Sequence, residues 1–199
     1  FVLRRVKKAV PKWELPGHVR LKQALRLGSR QSYQPVNIQQ DDLAFLQYTG
    51  GTTGVPKSAM LSHGNMLANL MQAYVWVRAV VRDGKECVIT ALPLYHIFAL
   101  TANCMLFIKL GARNVLIPDA RDIPALIKTM DKEKMTGFTG VNTLFNALLN
   151  HPDFAKVDFS SLRLVLGGGM AVQKAVSERW EKVTGLPLVQ AYGLTETSP

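Results

Sequence analysis

The richest chemistry sits in Tyr48-Thr49-Gly50-Gly51-Thr52-Thr53-Gly54-Val55-Pro56-Lys57. Three glycines let a backbone reach conformations with φ > 0 and turn its N–H groups toward an anion. Three threonine hydroxyls add donors, and Lys57 adds a point charge. Together they form a cradle for a polyphosphate. The segment is not a Walker-type P-loop, which needs Gly directly before its Lys; here Pro56 stands there. Pro56 also holds Val55 extended, so no helix starts well at this point. The segment reads as a flexible loop between two strands. A Gly/Thr run alone fits many hairpin loops; the ten-residue combination is what points to phosphate.

Three smaller groups carry chemistry of their own. Gly167-Gly168-Gly169 follows an apolar run and would admit a ligand against bare backbone, or serve only as a tight turn. His96 follows Pro93 at the entry to an apolar helix, a setting in which a lone histidine is more often structural. Glu196 closes the run Tyr192-Gly193-Leu194-Thr195 and offers a carboxylate to a hard cation, though most glutamates are plain surface acids.

The elements that must position these groups alternate. Short apolar runs at 43–49, 57–61, 86–91, 114–117, 137–140, 162–166 and 188–191 predict strands. Helical spacing predicts helices over 65–80, 97–110, 123–134, 143–150 and 172–184, the last with Val172, Val176, Trp180 and Val183 on one face. Strands alternating with helices of this length predict an α/β fold, a mostly parallel sheet with helices on both faces. Asn65 is the expected N-cap of the first long helix, and His63 receives no chemistry. Residues 1–40 read as a basic linker or surface segment, with little periodicity over 13–40, and residues 41–199 as the folded α/β part.

Charge and composition exclude other classes. The chain has 199 residues and a net charge of +10. Residues 1–30 hold nine basic residues against the single acid Glu14, while 31–199 hold fifteen basic and thirteen acidic residues. The basic character therefore belongs to one end and not to a folded face, which argues against nucleic acid as a partner. Two cysteines without a CxxC make neither a disulfide framework nor a zinc ribbon; Cys87 and Cys104 read as small buried apolar residues. No apolar run reaches the eighteen or so residues of a membrane span. No signal-peptide pattern opens the chain, so a cytoplasmic setting is expected. The chain opens on Phe1 and stops at Pro199, directly after the Glu196 run, and reads as a piece of something larger.

Residues 48–57 resemble the phosphate-loop signature of the acyl-adenylate-forming superfamily, which holds acyl-CoA synthetases, luciferases and peptide-synthetase adenylation domains. Leu92-Pro93-Leu94-Tyr95-His96-Ile97-Phe98 resembles that family's Pro-x-x-His segment, and Tyr192-Gly193-Leu194-Thr195-Glu196-Thr197 its Tyr-Gly-x-Thr-Glu motif. Residues 41–199 as a whole resemble part of the large N-terminal domain of bacterial long-chain fatty-acid–CoA ligases. The resemblance implies ATP, a long-chain fatty acid and CoA as partners and Mg²⁺ as the ion. It implies a catalytic set of Thr195, Glu196 and His96. Thr195 would hydrogen-bond the α-phosphate, Glu196 would hold the metal, and His96 would sit near the carboxylate. Tyr48, Thr49, Gly50, Gly51, Thr52, Thr53, Gly54 and Lys57 would hold the β- and γ-phosphates. Tyr192 and Gly193 would lie at the adenine, and Gly167, Gly168 and Gly169 would border the adenine and acyl pockets.

Leu100 departs from the tryptophan gate of some long-chain relatives, and residues 97–100 and 106–108 would line an acyl tunnel or the core. The family's ribose-binding Asp and the Lys of its C-terminal domain would lie beyond residue 199, so the 199 residues alone are expected to be inactive. Rival readings are an aryl-CoA ligase, a peptide-synthetase module, or a nucleotide- or lipid-binding module without catalysis. Residues 1–12 alternate basic and apolar residues, which fits a solvated surface helix or contact with anionic lipid on the inner face of the membrane, where each basic residue adds about 1 kcal/mol. Apolar surface left bare by absent neighbours would favour self-association as a homodimer.

Overall fold

A computed structural model describes residues 14–49 and 54–199. The chain divides into two units, one up to Ile38 and one from Gln39. The first contains a helix, α1 (Leu21–Gly28), none of whose residues is buried. Leu21, Ala24 and Leu25 give it one apolar stripe. The expected linker over 13–40 thus holds a helix, which a stripe this short does not announce. Residues 1–12, the expected lipid contact, lie outside the described residues. Among the described residues no helix is long and apolar enough to cross a membrane.

The second unit is built on a five-stranded parallel sheet in the order β4-β3-β5-β6-β7. Its strands are β3 (Cys87–Thr90), β4 (Arg113–Leu116), β5 (Gly137–Gly140), β6 (Leu164–Gly167) and β7 (Val189–Gln190). Every residue of β3, β5 and β6 is buried. Burial on both faces is why these runs are apolar throughout rather than alternating. On one face Ile89, Phe138 and Val165 pack under α5 (Ile123–Glu133), α6 (Asn142–Leu149) and α7 (Lys174–Thr184). On the other, Val88, Leu164 and Leu166 pack under α2 (His63–Val77) and α4 (Leu106–Lys109). The short strand β5 serves both faces with glycine. A Cβ on Gly137 would come within 3.2 Å of Phe107, and one on Gly140 within 2.8 Å of Phe145.

Two further strands, β1 (Leu43–Thr49) and β2 (Lys57–Ser62), stand apart from that sheet as an antiparallel pair with Thr49 opposite Lys57. The phosphate-loop segment is therefore the connection of a hairpin. The chain then passes from β2 straight into α2. Ser62, not Asn65, is the N-cap: the Asn65 N–H donates to Ser62 Oγ at 3.2 Å, and the Ser62 N–H donates to Asn65 Oδ1 at 3.2 Å. Asn65 is the third residue of the helix and closes this reciprocal capping box, so the helix starts two residues earlier than its sequence predicts.

The expected helix over 97–110 is also different in kind. It consists of α3 (Ile97–Ala99), a π-helix over Leu100–Met105, and α4. Of the two cysteines, Cys87 is buried as expected, and Cys104, on the π-turn, is only half-buried. At the N-terminal edge of the sheet Glu86 is buried. It accepts from Arg163 Nη1 at 2.9 Å and from the Arg82 N–H at 2.6 Å.

Candidate functional site

The C-terminal ends of the parallel strands are where the motifs meet, as expected of an open α/β sheet. After β3 the chain turns through Pro93, whose carbonyl accepts the His96 N–H at 3.0 Å. His96 caps α3: its Nδ1 accepts the Phe98 N–H at 3.2 Å. Gln47 of β1 donates to the Tyr95 carbonyl at 2.8 Å and ties this turn to the hairpin. After β6 come the three glycines. A Cβ on Gly167 would lie 2.6 Å from Leu188 and 2.7 Å from Val172, and one on Gly168 would lie 2.9 Å from Phe98. These two glycines answer to side-chain packing. Gly169 has φ +76° and turns the chain out of the sheet.

After β7, Tyr192 is 91% exposed and Gly193 packs against Pro199, where a Cβ would lie 2.8 Å from that ring. Thr195–Thr197 form a single 3₁₀ turn, closed by Thr197 Oγ1, which accepts the Leu194 N–H at 3.2 Å. Asn69 of α2 donates to the Pro199 carbonyl and pins this segment to the helix.

These pieces enclose one cavity of about 520 Å³. Its polar lining includes Gln47, Tyr48, Thr49, His96, Thr195 and Glu196, with Gly169, Tyr192 and Gly193 beside them. Its apolar lining includes Ala73, Trp76 and Val77 of α2, Ile97, Phe98, Leu106, and Leu166 of β6. Asn69, Ala73, Trp76 and Val77 share one face of α2, so this wall extends about 12 Å along the helix. The arrangement can hold a polar, anionic group at one set of residues and an apolar chain against the other.

Eight of the sequence-derived site residues thus line one space: Tyr48, Thr49, His96, Gly169, Tyr192, Gly193, Thr195 and Glu196. Gly54, Lys57, Gly167 and Gly168 are not among its lining residues, and Gly50, Gly51, Thr52 and Thr53 lie outside the described residues. Of the residues expected in a tunnel or the core, Leu106 lines the cavity, Phe107 is buried in the core, and Ile108 is 68% exposed. Leu100 packs on Leu61, Met66 and Ile97 rather than on the cavity. Gln47, Asn69, Ala73 and Trp76 were not singled out from the sequence. The helical spacing of the last three was visible, but nothing in it says which face of α2 a cavity would choose.

Among the described residues no three His, Cys, Asp or Glu side chains cluster as a metal cage. Glu196 is a single exposed carboxylate on the cavity. That donor set fits Mg²⁺, which takes one or two carboxylates and fills its remaining positions with phosphate oxygens and water.

Comparison with known proteins agrees with this geometry. A family model described as AMP-binding enzyme matches residues 4–199. The long-chain-fatty-acid–CoA ligase of Salmonella typhimurium is 56% identical over 199 residues, all of this chain and 36% of that protein. The ligase of the same name from Haemophilus influenzae is 50% identical over 201 aligned residues, again all of this chain and 36% of its own length. The chain thus spans about a third of the length of these curated relatives. The crystal structure of an anthranilate CoA ligase in complex with anthranoyl-AMP superposes with a TM-score of 0.78 at 25% identity, over 95% of this chain and 36% of that one. With residues 4–199 matched, the chain belongs to the AMP-binding enzyme family.

Proposed function

We propose that these residues form the ATP- and acyl-binding core of a long-chain fatty-acid–CoA ligase. The observation that carries this reading is the single cavity joining the root of the Gly/Thr loop, His96 and the Thr195–Glu196 turn to an apolar wall. A fatty-acid carboxylate has a pKa of about 4 and is a nucleophile at neutral pH without a general base. The obstacle is repulsion between that anion and the triphosphate. The site must therefore supply donors, positive charge and alignment rather than proton transfer.

In this reading a carboxylate oxygen attacks the α-phosphorus of ATP, the bond to the β-phosphate oxygen breaks, and pyrophosphate leaves. The CoA thiol then attacks the acyl carbonyl of acyl-AMP and AMP departs. The Gly/Thr loop and Lys57 hold the leaving pyrophosphate, Thr195 donates to the α-phosphate, and Tyr192 lies against adenine. Gly50, Gly51 and Gly54 give the loop backbone room beside the phosphates, and Gly169 gives it beside the adenine. His96, its Nδ1 already committed to the Phe98 N–H, turns its other ring nitrogen to the carboxylate. Glu196 would hold Mg²⁺, which would supply positive charge to offset that of the phosphate oxygens.

The test is pyrophosphate release by the complete protein with palmitate and Mg·ATP. Release with palmitate, and none with amino or aryl acids, supports the reading; release with an aryl acid alone replaces it with an aryl-CoA ligase. Glu196→Gln should lower turnover with palmitate at least about a hundredfold, the scale on which loss of a transition-state charge contact is felt. Two further parts of the proposal concern surfaces. Residues 1–12 meet anionic lipid from the cytoplasmic side, which salt-sensitive co-sedimentation with phosphatidylserine vesicles checks. The exposed stripe of Leu67, Met71 and Val75 on α2 favours a homodimer, which sedimentation velocity checks.

A further inference from the structure

Asn103 is fully buried, inside the π-helix, and every polar atom of its side chain is bonded to the sheet. Its Nδ2 donates to Thr90 Oγ1 of β3 at 3.0 Å, and its Oδ1 accepts from Thr139 Oγ1 of β5 at 2.8 Å. Its backbone carbonyl accepts from Asn114 Nδ2 of β4 at 2.7 Å. Thr90 Oγ1 closes the ring by donating to Asn114 Oδ1 at 2.5 Å. One side chain and one carbonyl therefore grip three strands at once. Thr90 and Thr139 are register partners, so their hydroxyls present a fixed spacing to the helix above.

A π-turn, with its wider i→i+5 bonding, is rare and found mostly as a single turn inside an α-helix, so contacts from outside the helix must favour it. Here the sheet holds it. Thr101 and Ala102, on the same π-turn, and Phe98 and Leu106, flanking it, line the cavity. If the turn relaxed to α-helical spacing, those four residues would rotate relative to one another, and the apolar wall would change shape. None of the four sheet-bonded residues, Thr90, Asn103, Asn114 and Thr139, lines the cavity.

We propose that Asn103 is a positioning residue for acyl selectivity: by locking the π-turn to β3, β4 and β5 it sets the bore of the apolar wall and thereby favours long chains over short ones. This rests on the ligase reading above. The test uses the complete protein with Asn103→Leu and two milder variants, Thr139→Val, which deletes one hydroxyl, and Thr139→Ser, which keeps it. Pyrophosphate release is followed against palmitate and butyrate concentration. Asn103→Leu and Thr139→Val should raise KM for palmitate about tenfold while butyrate kinetics stay within about twofold, the size of effect an apolar pocket gives when its fit changes by a methylene or so. Thr139→Ser should match the unsubstituted protein.

A purely structural role would lower both acids alike; equal losses, or no change in Thr139→Val, overturn the proposal. If the unsubstituted protein releases no pyrophosphate with palmitate, it is the ligase reading that fails. Binding of cis-parinaric acid without ATP then decides the positioning role separately. Affinity lost in Thr139→Val and kept in Thr139→Ser supports it, and affinity unchanged in both overturns it.

Discussion

The two faces of the parallel sheet are built by opposite rules. Under α5, α6 and α7 the packing is aromatic, and sealed except for a groove at the strand ends lined by Ile123, Val141 and Leu144. Trp180 is fully buried, stacked on Phe138 with centroids 6.0 Å apart, and met edge-on by Phe145 at 4.9 Å. Its Nε1 has no partner, so this face accepts an unsatisfied donor in exchange for ring packing. The other face gives up regularity. It carries a π-turn, a buried amide-and-hydroxyl ring, an unpartnered Thr101 hydroxyl and the cavity. The difference teaches where each kind of energy is placed: one face holds the fold together, and the other uses stability to hold a shape.

That contrast can be broken or sharpened by substitution. The largest effect should come from the sealed face. Trp180→Ala should destabilise by about 3–5 kcal/mol, read from urea unfolding of the 199-residue chain, since it removes the ring at the centre of the aromatic cluster. A loss below about 1 kcal/mol would mean that this face is not the stabilising one. On the cavity face, Gly168→Ala should behave differently. Its new Cβ would lie 2.9 Å from the tip of the Phe98 ring and 3.3 Å from the Ala191 carbonyl, so the ring swings, the backbone gives by a few tenths of an ångström and the fold survives. On the proposed ligase reading, turnover of the complete protein with palmitate should fall about tenfold while stability changes by less than about 1 kcal/mol. Equal losses of stability and activity would blur the contrast.

A smaller effect of opposite sign is expected at Thr101. Its buried Oγ1 has no partner, so Thr101→Val should leave stability unchanged or raise it by about 1 kcal/mol in thermal unfolding. Marked destabilisation would show a partner for that hydroxyl. The smallest effect lies at the rim of the sealed face. Ser160, and after it Lys134, hold the Asp158 carboxyl down to about 2. A carboxyl held below its unfolded value contributes stability above about pH 4 and loses it as pH falls toward about 2. Asp158 lies at the surface, so the readout is its NMR titration. Lys134→Met should move the midpoint upward, and an unmoved midpoint would leave Ser160 as the sole cause.

Several elements are legible in the amino-acid sequence alone. Residues 43–49 and 137–140 are strands with the bounds expected, because turn residues close apolar runs on both sides. Val176 and Trp180 of α7 are buried as their spacing predicts and Val183 is half-buried; Val172 is buried too, but it precedes the helix, which begins at Lys174. The α2 cap was misassigned for a local reason: Ser62 and Asn65 both suit a cap, and in a capping box each bonds to the other's backbone. The helix α1 was missed because it buries nothing. The π-turn was missed for a different reason. Periodicity over 97–110 suits an α-helix, and only hydroxyls and an amide from three strands distant in sequence select the wider turn.

By itself the amino-acid order determined the strand–helix alternation, the parallel sheet and the motif residues that fall together at its C-terminal edge. Those properties follow from local patterns of apolar residues, glycine and proline, which act within a few residues of one another. Tertiary structure alone decided which glycines yield to rings rather than to a ligand, which face of α2 borders the cavity, and that Asn103 holds the wall in place. Each of these depends on where a residue far along the chain comes to rest, and short-range pattern carries no record of that distance.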